Sequence, residues 1–194
     1  MKDDSFPKEF FYRHSKLVAP DLIGCYLIKK NNKKSLVKGL IVETEAYSQE
    51  EEACHGYRKK TESNKLLFGK PGTFYIYKSY GIHHCLNIVT DKENFASGVL
   101  IRAVFISAKN ERLASGPGLV TKTFDVDKSF NSLEVLNNNS LWISQRDSSI
   151  EEKDLIQTTR IGISKAKNIK WRWYLKNSRS VSKRLKGDRT PKFK

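Results

Sequence analysis

The stretch at residues 41–47 has the alternating pattern of a β-strand, but it places two carboxylates on a face where a core strand would carry apolar residues. Successive side chains of a β-strand point to opposite faces. The alternation divides the stretch into two faces: Ile41, Glu43, Glu45 and Tyr47 on one, and Val42, Thr44 and Ala46 on the other. An ionised carboxylate removed from water is costly unless it is paired. Two carboxylates beside an aromatic ring therefore predict the lip of a pocket.

The rest of the pattern is rich in strands and poor in helices. It predicts a short helix at residues 15–22, another near 116–118, and a polar loop over 48–70. Strands are predicted at residues 24–30, 35–47, 73–80, 82–90, 99–106 and 140–144. Turn-forming residues at Asn31-Asn32 and at Gly81 would join the first four strands into two hairpins. Because strands dominate without regular helix alternation, we predict an α+β fold with a mostly antiparallel sheet.

Length and composition limit the class of protein. A chain of 194 residues can bury one sizeable core, so we expect a single domain over residues 1–194. No apolar run is long enough to cross a bilayer, and the N-terminus lacks the apolar segment of a secretion signal. Three cysteines are too few, and odd in number, for a disulfide framework. We therefore expect a monomeric, cytoplasmic protein that does not associate with a membrane.

The charge of the chain is concentrated near its C-terminus. Residues 165–194 hold twelve Lys and Arg against one acid, a net +11 out of the total +15. Such a tract suits a polyanion, most simply nucleic acid, through counterion release. The alternative is a disordered, solubilising tail. Trp171, Trp173 and Tyr174 indicate that the first part packs, whereas residues 186–194 are expected to form a flexible basic tail.

Arg102 stands inside an otherwise apolar predicted strand. A guanidinium in such a place needs an acidic partner, and either Glu45 or Glu43 could provide it. The pair could serve only to fix the strand register. It could instead act chemically, with a carboxylate that takes a proton from water while Arg102 holds the water or the carboxylate. Spacing alone does not separate these two interpretations.

Aromatic side chains are crowded around the same region. Tyr75, Tyr77 and Tyr80 lie in one predicted hairpin, and Tyr47 and His55 lie on neighbouring segments. Flat rings can sandwich a nucleobase, although each ring taken alone is typical of core or sheet surface. Tyr80 differs because it falls at the hairpin tip, where there is little core to join. An exposed tip ring beside a basic surface is typical of a wedge that enters a base stack.

These residues together resemble those of the 3-methyladenine (alkyladenine or methylpurine) DNA glycosylases. Members of that family flip a damaged purine from duplex DNA and hydrolyse its N-glycosidic bond. The matching stretches are residues 41–47 (IVETEAY), 53–55 (ACH), 70–87 (KPGTFYIYKSYGIHHCLN) and 99–103 (VLIRA), with weaker echoes at 116–118 and 160–163. With the strand pattern, the resemblance leads us to expect a curved, open-barrel-like sheet with packed helices and a protruding β-hairpin.

The resemblance also implies roles for individual residues. It implies that Glu45 is the general base that activates water and that Arg102 orients that water. Tyr80 would fill the gap left in the duplex. The base pocket would be formed by Tyr47, His55 and Tyr77, with Asn87 at its floor to disfavour the 2-amino group of guanine, and with the main chain from Ala53 to His55 reading the purine edge.

The activity implied is that of a monofunctional hydrolase without lyase activity, cofactor or metal. Its substrate would be double-stranded DNA containing 3-methyladenine, 7-methylguanine, ethenoadenine or hypoxanthine, and its location the nucleoid if the source is bacterial. An N-alkylated purine is already cationic and leaves readily, so a positioned water, a base and a negative charge near the sugar suffice. The lysines are then interpreted as phosphate contacts.

Two departures and two alternatives accompany this prediction. Residues 61–64 read Thr-Glu-Ser-Asn where the family usually has Thr-Pro-Arg-Asn, and the loop at residues 50–52 is short and acidic. These changes leave open the substrate range and a catalytically inactive nucleic-acid-binding protein of the same fold. A zinc site is the other alternative, but its candidate ligands lack the usual spacing for zinc: Cys54, His55, His83, His84 and Cys85.

Overall fold

A curved antiparallel sheet forms the centre of the protein. The computed structural model describes residues 6–7, 9–31, 35–136, 138–146 and 150–185, so the predicted flexible tail at 186–194 lies outside the described residues. The strands are β1 (Tyr26–Lys30), β2 (Leu36–Ser48), β3 (Phe74–Ser79), β4 (His83–Val89), β5 (Ser97–Phe105), β6 (Leu141–Ser144), β7 (Leu155–Thr158) and β8 (Arg172–Leu175). The helices are α1 (Ser15–Asp21) and α2 (Pro117–Thr123), and short 3₁₀ turns occur at Lys65–Phe68, Lys128–Phe130 and Glu152–Asp154.

The order of the strands is β3-β4-β5-β2-β1-β6, and every pairing is antiparallel. Strand β2 is 13 residues long and divides one of its edges between two partners. Its first half pairs with β1, and Glu43 to Glu45 pair with β8, which in turn pairs with β7. The sheet therefore branches at β2 and curls into a half-barrel. The α+β prediction is confirmed.

Most elements predicted from the sequence are present. The helix near residues 15–22, the β1–β2 and β3–β4 hairpins, β5, the short helix at Pro117 and β6 are all confirmed. Strands β7 and β8 are the exception: the sequence pattern predicted no strand over residues 155–158, and residues 172–175 were interpreted only as the packed start of the basic tract. No helix among the described residues is long and apolar enough to span a membrane.

One part of the predicted alternation in β2 is wrong. The pairing of β2 with β5 is irregular between Ile41 and Thr44, as in a β-bulge. Ile41 consequently packs in the main apolar core with Ala46, whereas Val42 packs in a separate cluster with Tyr174. Ile41 does not share a face with the two carboxylates as the simple period of two predicted.

Glu43 and Arg172 form a buried ion pair that joins β2 to the C-terminal region. Arg172 Nη1 lies 2.6 Å from Glu43 Oε1, and Arg172 also donates to the carbonyls of Thr159 and Lys183. The Ser182 amide donates to Glu43 Oε2 at 2.7 Å. Arg172 belongs to the basic tract of the sequence, but its charge serves the fold instead of the surface.

Removing Arg172 should destabilise the protein strongly. In Arg172→Met the buried Glu43 carboxylate loses its nearest cation, and breaking a buried pair in this way costs about 3–5 kcal/mol. Urea unfolding should measure this loss as a lower free energy of unfolding. Lys153→Met is the control, since Lys153 pairs with Glu151 at the surface and should change the free energy by less than about 1 kcal/mol. Equal effects of the two substitutions would contradict the structural role of Arg172.

Candidate active site

A cavity of about 530 Å³ opens beside the protruding β3–β4 hairpin. Its walls come from β3, β4 and β5, from the loop after β2, and from residues 161–165 between β7 and β8. Seven of the eight residues singled out in the sequence line it: Tyr47, Ala53, His55, Tyr77, Tyr80, Asn87 and Arg102. The fold therefore brings together residues from segments that are far apart in the chain.

Glu45, the eighth of these residues, lies behind the pocket wall and not at its lip. Its side chain is fully buried. Its Oε2 accepts hydrogen bonds from the Tyr47 hydroxyl at 2.7 Å and from Arg102 Nη1 at 3.1 Å, and its Oε1 accepts one from the Ile161 amide at 2.8 Å. All three partners are donors, which suits a carboxylate that carries its charge.

Arg102 pairs with both of the carboxylates that the sequence offered as partners. Besides its bond to Glu45, its Nε lies 3.6 Å from Glu43 Oε1. Burial alone would lower the pKa of Arg102, but the two carboxylates outweigh burial and raise it. Because Arg102 also lines the cavity, it connects the buried acids with the space in front of them.

Tyr47 covers Glu45 and presents a ring to the cavity. Burial, followed by the neighbouring Glu45 charge, raises the pKa of Tyr47 well above its usual value, so the hydroxyl stays protonated and donates to Glu45. The Arg160 guanidinium lies over the ring, 4.7 Å from its centroid. Arg160 does not line the cavity, and the ring face opposite Arg160 is the free face of Tyr47 with respect to this guanidinium.

His55, Tyr75 and Tyr77 form a continuous aromatic wall. The ring centroids of His55 and Tyr77 are 4.1 Å apart at an interplanar angle of 68°, and those of Tyr75 and Tyr77 are 5.7 Å apart. Desolvation lowers the pKa of His55 and favours the neutral imidazole. A flat ligand does not fit between His55 and Tyr77. It would lie against the wall that they form together.

Tyr80 projects from the tip of the β3–β4 hairpin. Tyr80 and Gly81 have φ angles of 48° and 68°, and the Ile82 amide donates to the Ser79 carbonyl, so the chain reverses in a tight two-residue turn. The Tyr80 side chain is 89% exposed. Helix α2 supports the hairpin through the Thr121 hydroxyl, which donates to the His84 carbonyl at 3.0 Å. The tip therefore presents an unburied ring on a supported base.

The sequence of this chain matches a known protein family over most of its length. Residues 9–179 match the family model described as methylpurine-DNA glycosylase. A Trichodesmium erythraeum protein is 41% identical over 188 residues, covering 88% of this chain and 94% of that one. A Carboxydothermus hydrogenoformans protein is 40% identical, covering 92% and 98%. Both relatives are provisionally named 3-methyladenine DNA glycosylase.

The chain belongs to the methylpurine-DNA glycosylase family. Membership makes it a DNA glycosylase, a hydrolase of DNA repair.

The residues that depart from the family pattern, 61–64, lie beside the loop that carries His55. Asn64 is buried and donates to the His55 carbonyl at 2.8 Å, while Glu62 is exposed and pairs with Lys65 at 2.7 Å. The changed positions thus face solvent, and the Asn that shapes the pocket loop is retained.

Several residues of the site were not found by sequence reasoning. The Ile161 amide bonds to Glu45, and the Ile161 carbonyl lies 3.5 Å from Arg102 Nη1. The only sequence signal for this loop was the weak echo at residues 160–163.

In the described part of the chain, no three His, Cys, Asp or Glu side chains are grouped so as to hold a metal ion. The cysteines of the zinc alternative, Cys54 and Cys85, are free and buried.

The buried Tyr75 side chain should make the stability of the protein fall at alkaline pH. Burial raises the pKa of Tyr75 from 10.0 to about 12, so the folded state keeps a proton that the unfolded chain loses above pH 10. Stability should therefore fall as pH rises from 10 to 12, by at most about 1.4 kcal/mol per pH unit from this group. Urea unfolding at pH 9, 10.5 and 11.5 should show a shallower fall for Tyr75→Phe than for the wild type. Parallel profiles would contradict the suppressed ionisation of Tyr75.

Proposed function

We propose that this protein removes alkylated or deaminated purines from duplex DNA by hydrolysing the N-glycosidic bond with a water activated by Glu45. The candidate substrates are 3-methyladenine, 7-methylguanine, ethenoadenine and hypoxanthine. One observation carries the proposal: a buried carboxylate, held by three donors, lies directly behind the wall of a cavity lined by aromatic rings. The protein would act as a cytoplasmic, nucleoid-associated monomer.

The hydrogen bonds of Glu45 leave room for a water. A carboxylate has about four acceptor sites, and three are used by Tyr47, Arg102 and Ile161. A water at the remaining site would reach the cavity beside Arg102, whose guanidinium can hold it for attack on the sugar. The negative charge of Glu45 would also favour the oxocarbenium character of the deoxyribose in the transition state.

The aromatic rings that line the cavity are suited to stacking on a purine. We infer that the flipped base stacks on the free face of Tyr47, with the His55–Tyr77 wall on its other side. Asn87 is fixed there because its amide donates to the carbonyls of Tyr75 and Cys85, and at this position it would disfavour the 2-amino group of guanine. The volume of about 530 Å³ lies within the range of small-molecule sites.

A hydrolytic mechanism without lyase activity also suits the lysines of the cavity. Lys78 and Lys165 line its rim and are exposed. A lysine that acts as a nucleophile needs a desolvated amine, whereas an exposed ammonium is suited to a phosphate contact. We therefore propose that both lysines contact the DNA backbone.

Glu45→Gln should bind damaged DNA and lose excision. The amide keeps the size of the side chain but cannot accept the proton of the water, so single-turnover excision should fall at least ~10³-fold. The assay uses a duplex with one ethenoadenine, or methylated DNA, and measures free base and alkali-labile abasic sites, with binding to the same duplex measured in parallel. Glu93→Gln, on an exposed turn, is the control.

The two possible failures of this assay have different meanings. Retained excision by Glu45→Gln would remove Glu45 from the role of general base. Absence of excision by the wild type on every lesion tested, with binding intact, would instead support the inactive nucleic-acid-binding alternative.

Tyr80→Ala should impair excision from duplexes without affecting the fold. The ring is exposed, so its removal leaves the core intact. Loss of a wedge that offsets the unstacking cost of a few kcal/mol should lower duplex excision about 10- to 100-fold. A lesion placed in single-stranded DNA needs less unstacking and should be affected much less. Leu36→Ala, another exposed apolar side chain, is the control. A loss of the same size on both substrates would argue against a wedge.

A further inference from the structure

A further buried ion pair, between Glu51 and Arg160, lies behind the base pocket. Arg160 Nη1 contacts Glu51 Oε1 and Arg160 Nη2 contacts Glu51 Oε2, each at 2.7 Å, so the contact is bidentate. The two residues are 5% and 6% exposed. Arg160 also donates to the Ala46 carbonyl on β2 at 2.9 Å. Neither residue lines the cavity, and neither is among the hydrogen-bond partners of Glu45.

This ion pair is connected to three parts of the pocket. The guanidinium packs on the ring of Tyr47. The carboxylate accepts the Ala53 amide at 2.8 Å and so holds the start of the loop that carries His55. Arg160 directly precedes Ile161, whose amide bonds to Glu45. The stacking ring, the pocket loop and the support of the general base therefore share one anchor.

The electrostatics of the ion pair add a further consequence. A base stacked on the free face of Tyr47 would have the Arg160 charge behind the ring, in a region with little water to screen it. A 3- or 7-alkylated purine is itself cationic and would be repelled by an uncompensated guanidinium. The Glu51 carboxylate cancels that charge at the same depth.

We propose that the Glu51–Arg160 pair is a positioning unit that fixes Tyr47 and the Ala53 loop and, by being neutral as a pair, allows cationic purines to stack. This inference rests on the proposed function, because it assigns Tyr47 to the bound base. A purely stabilising role is a weaker account, since an apolar pair can replace a buried ion pair without loss of stability. Within the described residues, Arg160 Nε also has no hydrogen-bond partner.

The diagnostic variant is Glu51→Gln, which removes the charge but keeps the size and an acceptor oxygen. Single-turnover excision is measured on a duplex with one 7-methylguanine, which is cationic, and on a duplex with one ethenoadenine, which is neutral. We expect 7-methylguanine excision to fall at least tenfold more than ethenoadenine excision. A loss of folded protein would lower both rates equally, so an unchanged ratio would overturn the inference.

Conservative variants keep the test decisive if Glu51→Gln folds poorly. Glu51→Asp retains the charge and should leave the ratio of the two rates near that of the wild type while lowering both. Glu111→Gln, which removes the carboxylate paired with Arg179 outside the cavity, is the matched control and should alter neither the rates nor their ratio. A change of the ratio in Glu111→Gln would contradict the proposal.

Hydrogen exchange provides a readout that does not depend on activity. In Arg160→Lys the bidentate contact is lost, so the Ala53 and Ile161 amides should exchange at least tenfold faster, while amides of the β3–β4 hairpin keep their wild-type rates. Unchanged exchange at both amides would overturn the positioning role whatever the excision rates are. Faster exchange in a protein whose wild type excises no lesion would refute the proposed function and leave the positioning role standing.

Discussion

The structure depends on the need to pair two carboxylates that β2 carries into the protein interior. Glu43 and Glu45 are both without exposed surface, and a buried charge persists only where donors surround it. Those donors come from Arg102 on β5, from Arg172 on β8, and from main-chain amides of the C-terminal region. The same requirement therefore joins β2 to β5 and β8, where the sheet branches.

The interactions that satisfy this requirement also shape the candidate site. Arg102 is held by the two acids and at the same time lines the cavity, and Tyr47 covers Glu45 while turning a ring face toward a ligand. Glu45 thus contributes both to stability and to the proposed chemistry, whereas Glu43 and Arg172 contribute chiefly to the fold. The exposed Tyr80 is the opposite case, because its position at a hairpin tip contributes no burial and is suited to contact outside the protein.

Family membership and local structure support each other, although they rest on different observations. The family match covers residues 9–179, and the described site falls entirely within that range. The departure at residues 61–64 alters exposed positions and retains Asn64, which anchors the His55 carbonyl. The acidic loop after β2 is only partly a surface feature, since Glu51 is buried against Arg160. Glu62 and Ser63 are exposed, whereas Glu52 of the acidic loop lines the cavity.

By itself, the sequence determined the features that arise from neighbouring residues: strands β1 to β6, the two hairpins, the exposed tip at Tyr80 and the short helices. Period-two alternation and turn-forming residues act over a few positions, so they can be interpreted locally. Only the tertiary structure decided the partners of the buried charges, the bulge that turns Ile41 into the core, strands β7 and β8, and the contacts of Arg160 and Ile161. Glu45 and Ile161 are 116 residues apart and Glu43 and Arg172 are 129 apart. No local pattern specifies which distant donor satisfies a buried carboxylate, because that choice depends on how the whole sheet curls.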